Sequence, residues 1–261
     1  MSQAAAPGTF TAEEMMAVAA ARRLPDGVTC FVGIGAPSRA ANLARTTHAP
    51  GCVLIYESGA IGAKPRSLPL SIGDGELAET ADAVVSVPEI FSYWLQGGRI
   101  DVGFLGAAQI DRFGNLNSTV IGAYDHPDVR LPGAGGAPEI SAFCKETFVM
   151  LRQTPRTFVE KLDFRTTVGY GDGAGSRESL GFSGAGVTAV VTDLGVLEPD
   201  PDTDELTLTV LHPGVEADEV RAATGWDLRV ADEVVTAEPP TDEELRGLRA
   251  LRSAADKASG E

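Results

Sequence analysis

Cysteine is scarce in this 261-residue chain. Cys30, Cys52 and Cys144 are the only three, an odd number with no C-x-x-C pair. That argues against a disulfide framework and leaves buried, reduced thiols in a cytoplasm as the expected state. Histidine is equally scarce. His48, His126 and His212 stand far apart and no H-E-x-x-H occurs, which argues against zinc and gives no reason to expect a metal. No run of about 18 apolar residues exists, so no membrane span is expected. Residues 1–9 have neither a basic start nor an apolar core, so no signal peptide is expected either. Positive charge is in deficit: 21 Lys and Arg against 37 Asp and Glu leave a net charge of −16. A chain this acidic repels a phosphate backbone, which argues against nucleic acid as a partner. If its substrates are anions, local cations must override the global field.

What is present reads as a folded α/β protein. Hydrophobic residues make up 43% and charged residues 22%, ordinary values for a globular chain. Thr11-Ala12-Glu13-Glu14 is a capping box, in which Thr and Glu three residues apart satisfy each other's backbone amides. It opens a helix to about Arg23. Short apolar runs at residues 29–34, 52–56, 83–87, 102–105, 188–192 and 206–211 read as strands. Helices are expected at residues 37–45, 89–96 and 215–224, and over 241–254 after a second capping box at Thr241 and Glu244. Strands alternating with helices imply an open, largely parallel sheet covered on both faces. No repeat or long linker divides the chain, so one domain over residues 1–261 is expected, with a frayed N-terminus and a frayed tail after about Ala255.

Four segments carry possible chemistry. Gly33-Ile34-Gly35-Ala36-Pro37-Ser38 follows a strand and opens a helix, a place that suits an anion. It also fits a plain tight turn. As a dinucleotide fingerprint it lacks the third glycine, because Ser38 stands there. Tyr56-Glu57-Ser58-Gly59 delivers a carboxylate at the C-terminal end of a buried strand, where α/β sheets place ligands; a turn-capping acid is the plainer reading. Gly97-Gly98 reads as a helix end. In Leu131-Pro132-Gly133-Ala134-Gly135-Gly136-Ala137, three glycines in four residues expose backbone N–H groups that can hold an oxyanion, or simply make a flexible loop. Together they read as a nucleophilic carboxylate opposite an amide-lined anion site. A thioester suits such a carboxylate, because its thiolate leaves readily and its oxyanion can be held by N–H groups.

The order of these motifs resembles that of the B subunits of class I coenzyme A transferases. Gly33-Ile34-Gly35-Ala36-Pro37 is similar to their G-I-G-x-P stretch, and Glu57-Ser58-Gly59 to the E-x-G motif. Gly97-Gly98-Arg99-Ile100-Asp101, Leu105-Gly106-Ala107-Ala108-Gln109 and Gly114-Asn115 resemble the segments that follow. Gly133 to Ala137 resembles the G-x-G-G-A loop, and Pro213-Gly214-Val215 and Thr224-Gly225-Trp226 the closing elements. The resemblance spans about residues 11–252. It departs at Val32, where some members carry a polar residue.

The resemblance implies that Glu57 carries CoA as a covalent thioester in a ping-pong reaction. It also implies that Gly33, Gly35, Gly133, Gly135, Gly136 and Ala137 lie against CoA or the oxyanion. Coenzyme A would be substrate and intermediate, with no permanently bound cofactor and no metal. An A subunit would complete a heterodimer or heterotetramer, with acyl-CoA and dicarboxylic acids as substrates. Arg66, just behind the Glu57 turn, is the candidate for pairing with the distal carboxylate of such an acid. Lys64, Arg99, Arg112 and Arg130 are further candidate cations. Transfer to another short acid, or hydrolysis of CoA esters on the same fold, are the alternatives.

Overall fold

The computed structural model describes residues 9–173 and 175–258, the side chains of 252–258 excepted. Helix α1 (Ala12–Arg22) leads to strand β1 (Thr29–Phe31), helix α2 (Ala36–Thr46) and strand β2 (Val53–Ile55). Strand β3 (Ala60–Ile61), helix α3 (Gly75–Glu79) and strand β4 (Ala83–Val84) follow. Helix α4 (Val87–Glu89) continues as a π-helix over Ile90–Leu95 into β5 (Val102–Leu105). Two small hairpins come next, β6 (Gln109–Ile110) with β7 (Leu116–Asn117), and β8 (Val120–Gly122) with β9 (Pro127–Arg130). Helix α5 (Ala137–Phe143) and β10 (Glu146–Met150) return the chain to the main sheet. It ends through β11 (Val187–Val191), β12 (Gly195–Pro199), β13 (Leu206–Leu211), α6 (Ala217–Ala222), β14 (Arg229–Thr236) and α7 (Asp242–Ala258).

Ten strands form one sheet in the order β14-β13-β12-β11-β10-β5-β1-β2-β3-β4. The centre, from β11 to β2, is parallel, and antiparallel pairs appear toward both edges. Strict side-chain alternation builds a core on each face. Cys30, Leu54, Phe104, Phe148 and Met150 point to the face covered by α1 and α2. Their neighbours Phe31, Ile55, Leu105 and Val149 point to the other, where Ile140 of α5 and Ile110 pack. All nine are buried, which is why these strands read as continuous apolar runs rather than alternating ones.

Both capping boxes form. Thr11 Oγ1 accepts from the Glu14 amide and Glu14 accepts in return from the Thr11 amide; Thr241 and Glu244 do the same. Arg249 of α7 also pairs with Glu14, at 2.7 Å, tying the last helix to the first. The three cysteines are buried and unbonded. Among the described residues no helix is long and apolar enough to cross a membrane.

Several expectations need correction. The strand expected over 29–34 ends at Phe31, because the chain must turn at Gly33 to enter α2. The strand expected over 83–87 is two exposed residues at the sheet edge. The helix expected over 89–96 is a π-helix for most of its length, with the Gln96 amide donating to Phe91 O and the Arg99 amide to Trp94 O. The apolar runs of the sequence do not mark β3, the hairpin strands β6 to β9, or β10, β12 and β14. Helix α7 runs three residues past Ala255. Residues 1–8 of the expected frayed N-terminus, and residues 259–261 of the tail expected to fray after about Ala255, lie outside the described residues.

Candidate active site

Glu57 sits two residues after the end of β2, half-buried, in a tight turn that leads into β3. The turn is built from both sides. Beneath it Tyr56 is fully buried, its hydroxyl accepting from Asn42 Nδ2 at 3.2 Å, with Ser38 Oγ at 3.4 Å. Burial pushes the Tyr56 phenol up, so it stays neutral. Beyond it, Gly59 adopts φ +108°, and a Cβ there would lie 2.0 Å from the Val85 carbonyl oxygen. Only glycine lets the chain pass so close to β4. The Gly59 amide donates to Tyr56 O at 3.0 Å, closing the turn around Glu57.

The C-terminal ends of the parallel strands β1, β2 and β5 open into a cleft of about 230 Å³. Glu57, Phe31, Val32, Gly33, Gly106, and residues 134–137 line it. The structure therefore brings Glu57 together with Gly33, Gly135, Gly136 and Ala137. A Cβ built on Gly136 would lie 3.5 Å from Glu57 Oε1, so loop and carboxylate face each other. The same Cβ would lie 2.7 Å from Cζ of Phe91, a ring of the π-helix that the sequence did not flag.

The amides of that loop are not equivalent. Gly133 N–H donates to Ser118 O at 2.9 Å, and Ala137 N–H to Ala134 O at 3.1 Å. Neither is free for an oxyanion, which leaves contact with CoA as the expected role open to them. Among the described residues, the Gly135 and Gly136 amides have no protein partner. Gly35 is placed elsewhere. It precedes α2, exposed, at φ +86°, with its carbonyl accepting from the Arg39 amide, and it does not line the cleft. Val32 presents a buried apolar surface there.

Arg66 does not line the cleft. Its guanidinium pairs with Glu76 at 3.0 Å and is largely exposed. Glu76 also accepts from the Arg66 amide and Ser67 Oγ; burial opposes its charge, but these bonds outweigh it and hold the carboxyl below its usual range. Lys64 pairs with Asp82, Arg112 with Glu160 and Glu205, while Arg99 and Arg130 lie over the rings of Tyr93 and Tyr124. Among the described residues, no Lys, Arg or His lines the Glu57 cleft. Two arginines stand along the same strand edge, Arg39 of α2 and Arg152 after β10. They border a neighbouring cavity and are paired with Glu13 and Asp193. Arg66→Ala in this chain should change stability by no more than about 1 kcal/mol, as for other exposed pairs. It should leave the Michaelis constant for an anionic substrate within about twofold, because the side chain is committed to Glu76. Steady-state kinetics on the variant checks this. A large rise in that constant would mean that Arg66 leaves Glu76 for the substrate.

Arg177 is a second residue the sequence did not flag. It is buried, and its guanidinium donates to the carbonyls of Ser141, Gly169 and Gly184 at 2.6–3.0 Å. Burial lowers its pKa, although it remains a cation at neutral pH. These bonds fix α5, which carries the 134–137 loop on its first turn. Arg177→Met should destabilise the fold by about 3–5 kcal/mol, because it strands buried carbonyls. Chemical denaturation measures this. A loss below about 1 kcal/mol would mean that water replaces the guanidinium. No group of three or more His, Cys, Asp or Glu among the described residues could hold a metal ion.

A family model described as coenzyme A transferase matches residues 13–223. The chain is 60% identical over 252 residues to the B subunit of 3-oxoadipate CoA-transferase from Pseudomonas knackmussii, covering 97% of each. It is 36% identical over 236 residues to the B subunit of glutaconate CoA-transferase from Acidaminococcus fermentans, covering 88% of each. The crystal structure of glutaconate coenzyme A-transferase from that organism superposes with a TM-score of 0.88 at 33% identity, covering 94% of this chain and 96% of the other.

Proposed function

The chain belongs to the coenzyme A transferase family, and from that premise we propose that it is the B subunit of a two-subunit 3-oxoadipate CoA-transferase. One observation supports the chemistry: the Glu57 carboxylate lines the same cleft at the open strand edge as Gly135 and Gly136, whose amides have no protein partner among the described residues. In the proposed cycle, a Glu57 oxygen attacks the thioester carbonyl of succinyl-CoA. The carbonyl oxygen becomes an oxyanion that accepts hydrogen bonds from the Gly135 and Gly136 amides, and the C–S bond breaks to release CoA thiolate. The thiolate then attacks the glutamyl carbonyl of the resulting anhydride. Succinate leaves, and CoA remains on Glu57 as a thioester. 3-Oxoadipate reverses both steps, taking CoA and freeing the carboxylate. The balance is one thioester exchanged for another, with no redox change, and no metal or permanently bound cofactor is assigned to it.

The choice of acid rests on the 60% identity to the Pseudomonas knackmussii protein, and is an inference by analogy. Chemistry at Glu57 is indifferent to the acyl chain. The lack of Lys, Arg and His in the cleft among the described residues supports a partner requirement, since a dicarboxylate and CoA are both anions and find no positive charge there. The A subunit would supply it, in a cytoplasmic assembly serving the breakdown of aromatic compounds. Hydrolysis of CoA esters has weaker support: the cholesterol ring-cleaving hydrolase IpdB subunit of Mycobacterium tuberculosis is 27% identical over 255 residues. The test is co-purification with the A subunit, then a screen of acids against succinyl-CoA. 3-Oxoadipate should be the preferred acceptor. Preference for glutaconate or acetoacetate would overturn the substrate and leave the transferase standing. Release of CoA without any acceptor as the main reaction would overturn transfer itself.

A further inference from the structure

The glutamyl-CoA thioester is an energy-rich bond that water can waste, so a transferase must keep its carboxylate dry on every side that substrate does not cover. An aromatic ring stands near one side of it. Phe91 occupies the first turn of the π-helix Ile90–Leu95 and is half-buried. Its ring edge and Glu57 Oε1 flank the same vacant position, the Cβ that Gly136 lacks. Behind it, Phe91 packs edge-on against Phe31, at 6.3 Å between centroids, and Phe31 itself lines the cleft. The turn that carries it is closed by the Gln96 amide donating to Phe91 O. Tyr93, two residues on, is exposed.

We propose that Phe91 is a positioning residue that seals the Glu57 carboxylate from water and so keeps the enzyme a transferase rather than a thioesterase. This rests on Glu57 as the carrier of CoA. Without the ring, a water molecule reaches the thioester on Glu57. Its oxygen bonds to the glutamyl carbonyl carbon, the C–S bond breaks, and CoA leaves as the thiol with one of the water's protons. The carboxylate is regenerated and the second proton goes to solvent.

The test uses the assembled two-subunit enzyme with Phe91→Ala and Phe91→Leu, beside Glu57→Ala. Succinyl-CoA consumption is followed with and without 3-oxoadipate, together with the lifetime of the CoA adduct by intact mass and the melting temperature. The ratio of hydrolysis to transfer should rise about tenfold or more in Phe91→Ala and by a smaller factor in Phe91→Leu, whose side chain leaves a smaller gap. The adduct should decay correspondingly faster. A purely structural role would lower both reactions together and leave the ratio fixed. If Phe91→Ala does not fold, the ratio in Phe91→Leu decides. An unchanged ratio in a folded variant overturns the proposal while Glu57→Ala remains inactive. Turnover in Glu57→Ala overturns instead the reading on which it rests.

Discussion

Glu57→Ala is expected to reduce CoA transfer by on the order of 10⁴-fold or more, since losing the nucleophile proposed here removes the covalent route itself. The fold should not notice. Among the described residues the Glu57 carboxylate has no hydrogen-bonded or ion-paired partner to lose, and the turn that presents it is held by Tyr56 and Gly59. Stability should therefore stay within about 0.5 kcal/mol. Incubation of the assembled wild-type enzyme with acyl-CoA and no acceptor should leave CoA on Glu57, seen by intact mass or trapped by borohydride reduction. The variant should carry none. Glu57→Gln should begin inactive and regain activity only as fast as the amide hydrolyses. Normal turnover by Glu57→Ala would remove the carboxylate from the mechanism.

The next largest effect is expected at Gly136. A side chain there enters the gap between Phe91 and Glu57, displacing one or both. Gly136→Val should cost roughly 10²–10³ in turnover, the loss typical of a misplaced oxyanion donor. Gly135 offers a contrast. A Cβ there meets open space, but its φ of +50° is a left-handed conformation that costs a non-glycine residue about 1–2 kcal/mol. Gly135→Ala should therefore show up mainly in the melting temperature, and Gly136→Ala mainly in turnover per folded enzyme. Equal turnover in both, corrected for folding, would reduce the loop to a connection.

How far these features could be read from sequence alone depends on their range. The capping boxes at Thr11 and Thr241 are three-residue patterns, and both formed as read. Strands at Val102–Leu105 and Leu206–Leu211 are apolar runs bounded by polar or glycine neighbours, and both bounds held. Strand β14 was hidden because it is an edge strand with Asp232 and Glu233 in its middle, both exposed. Strand β12 begins at Gly195 and ends at Pro199, residues that announce turns. Strand β10 follows α5 with only Cys144 and Lys145 between them, too little punctuation to separate the two. The π-helix has apolar spacing indistinguishable from an α-helix over so few residues. The Glu57 and glycine-loop motifs were legible because strand ends and turns are local. Which amides in that loop are free was not, since Ser118, the partner of Gly133, lies 15 residues away. The same holds for Arg66, whose partner Glu76 is 10 residues on.

The lack of any cation in the Glu57 cleft among the described residues bears on gene dosage. A copy made in excess of its partner carries the carboxylate proposed to react, within a chain of net charge −16. Acyl-CoA, a polyanion, is repelled from such a mouth. Orphan copies should then be harmless to the thioester pool, and cellular activity should track whichever chain is scarcer. Titrating one purified chain against the other should give a linear rise that stops at equivalence, with no background slope from this chain alone.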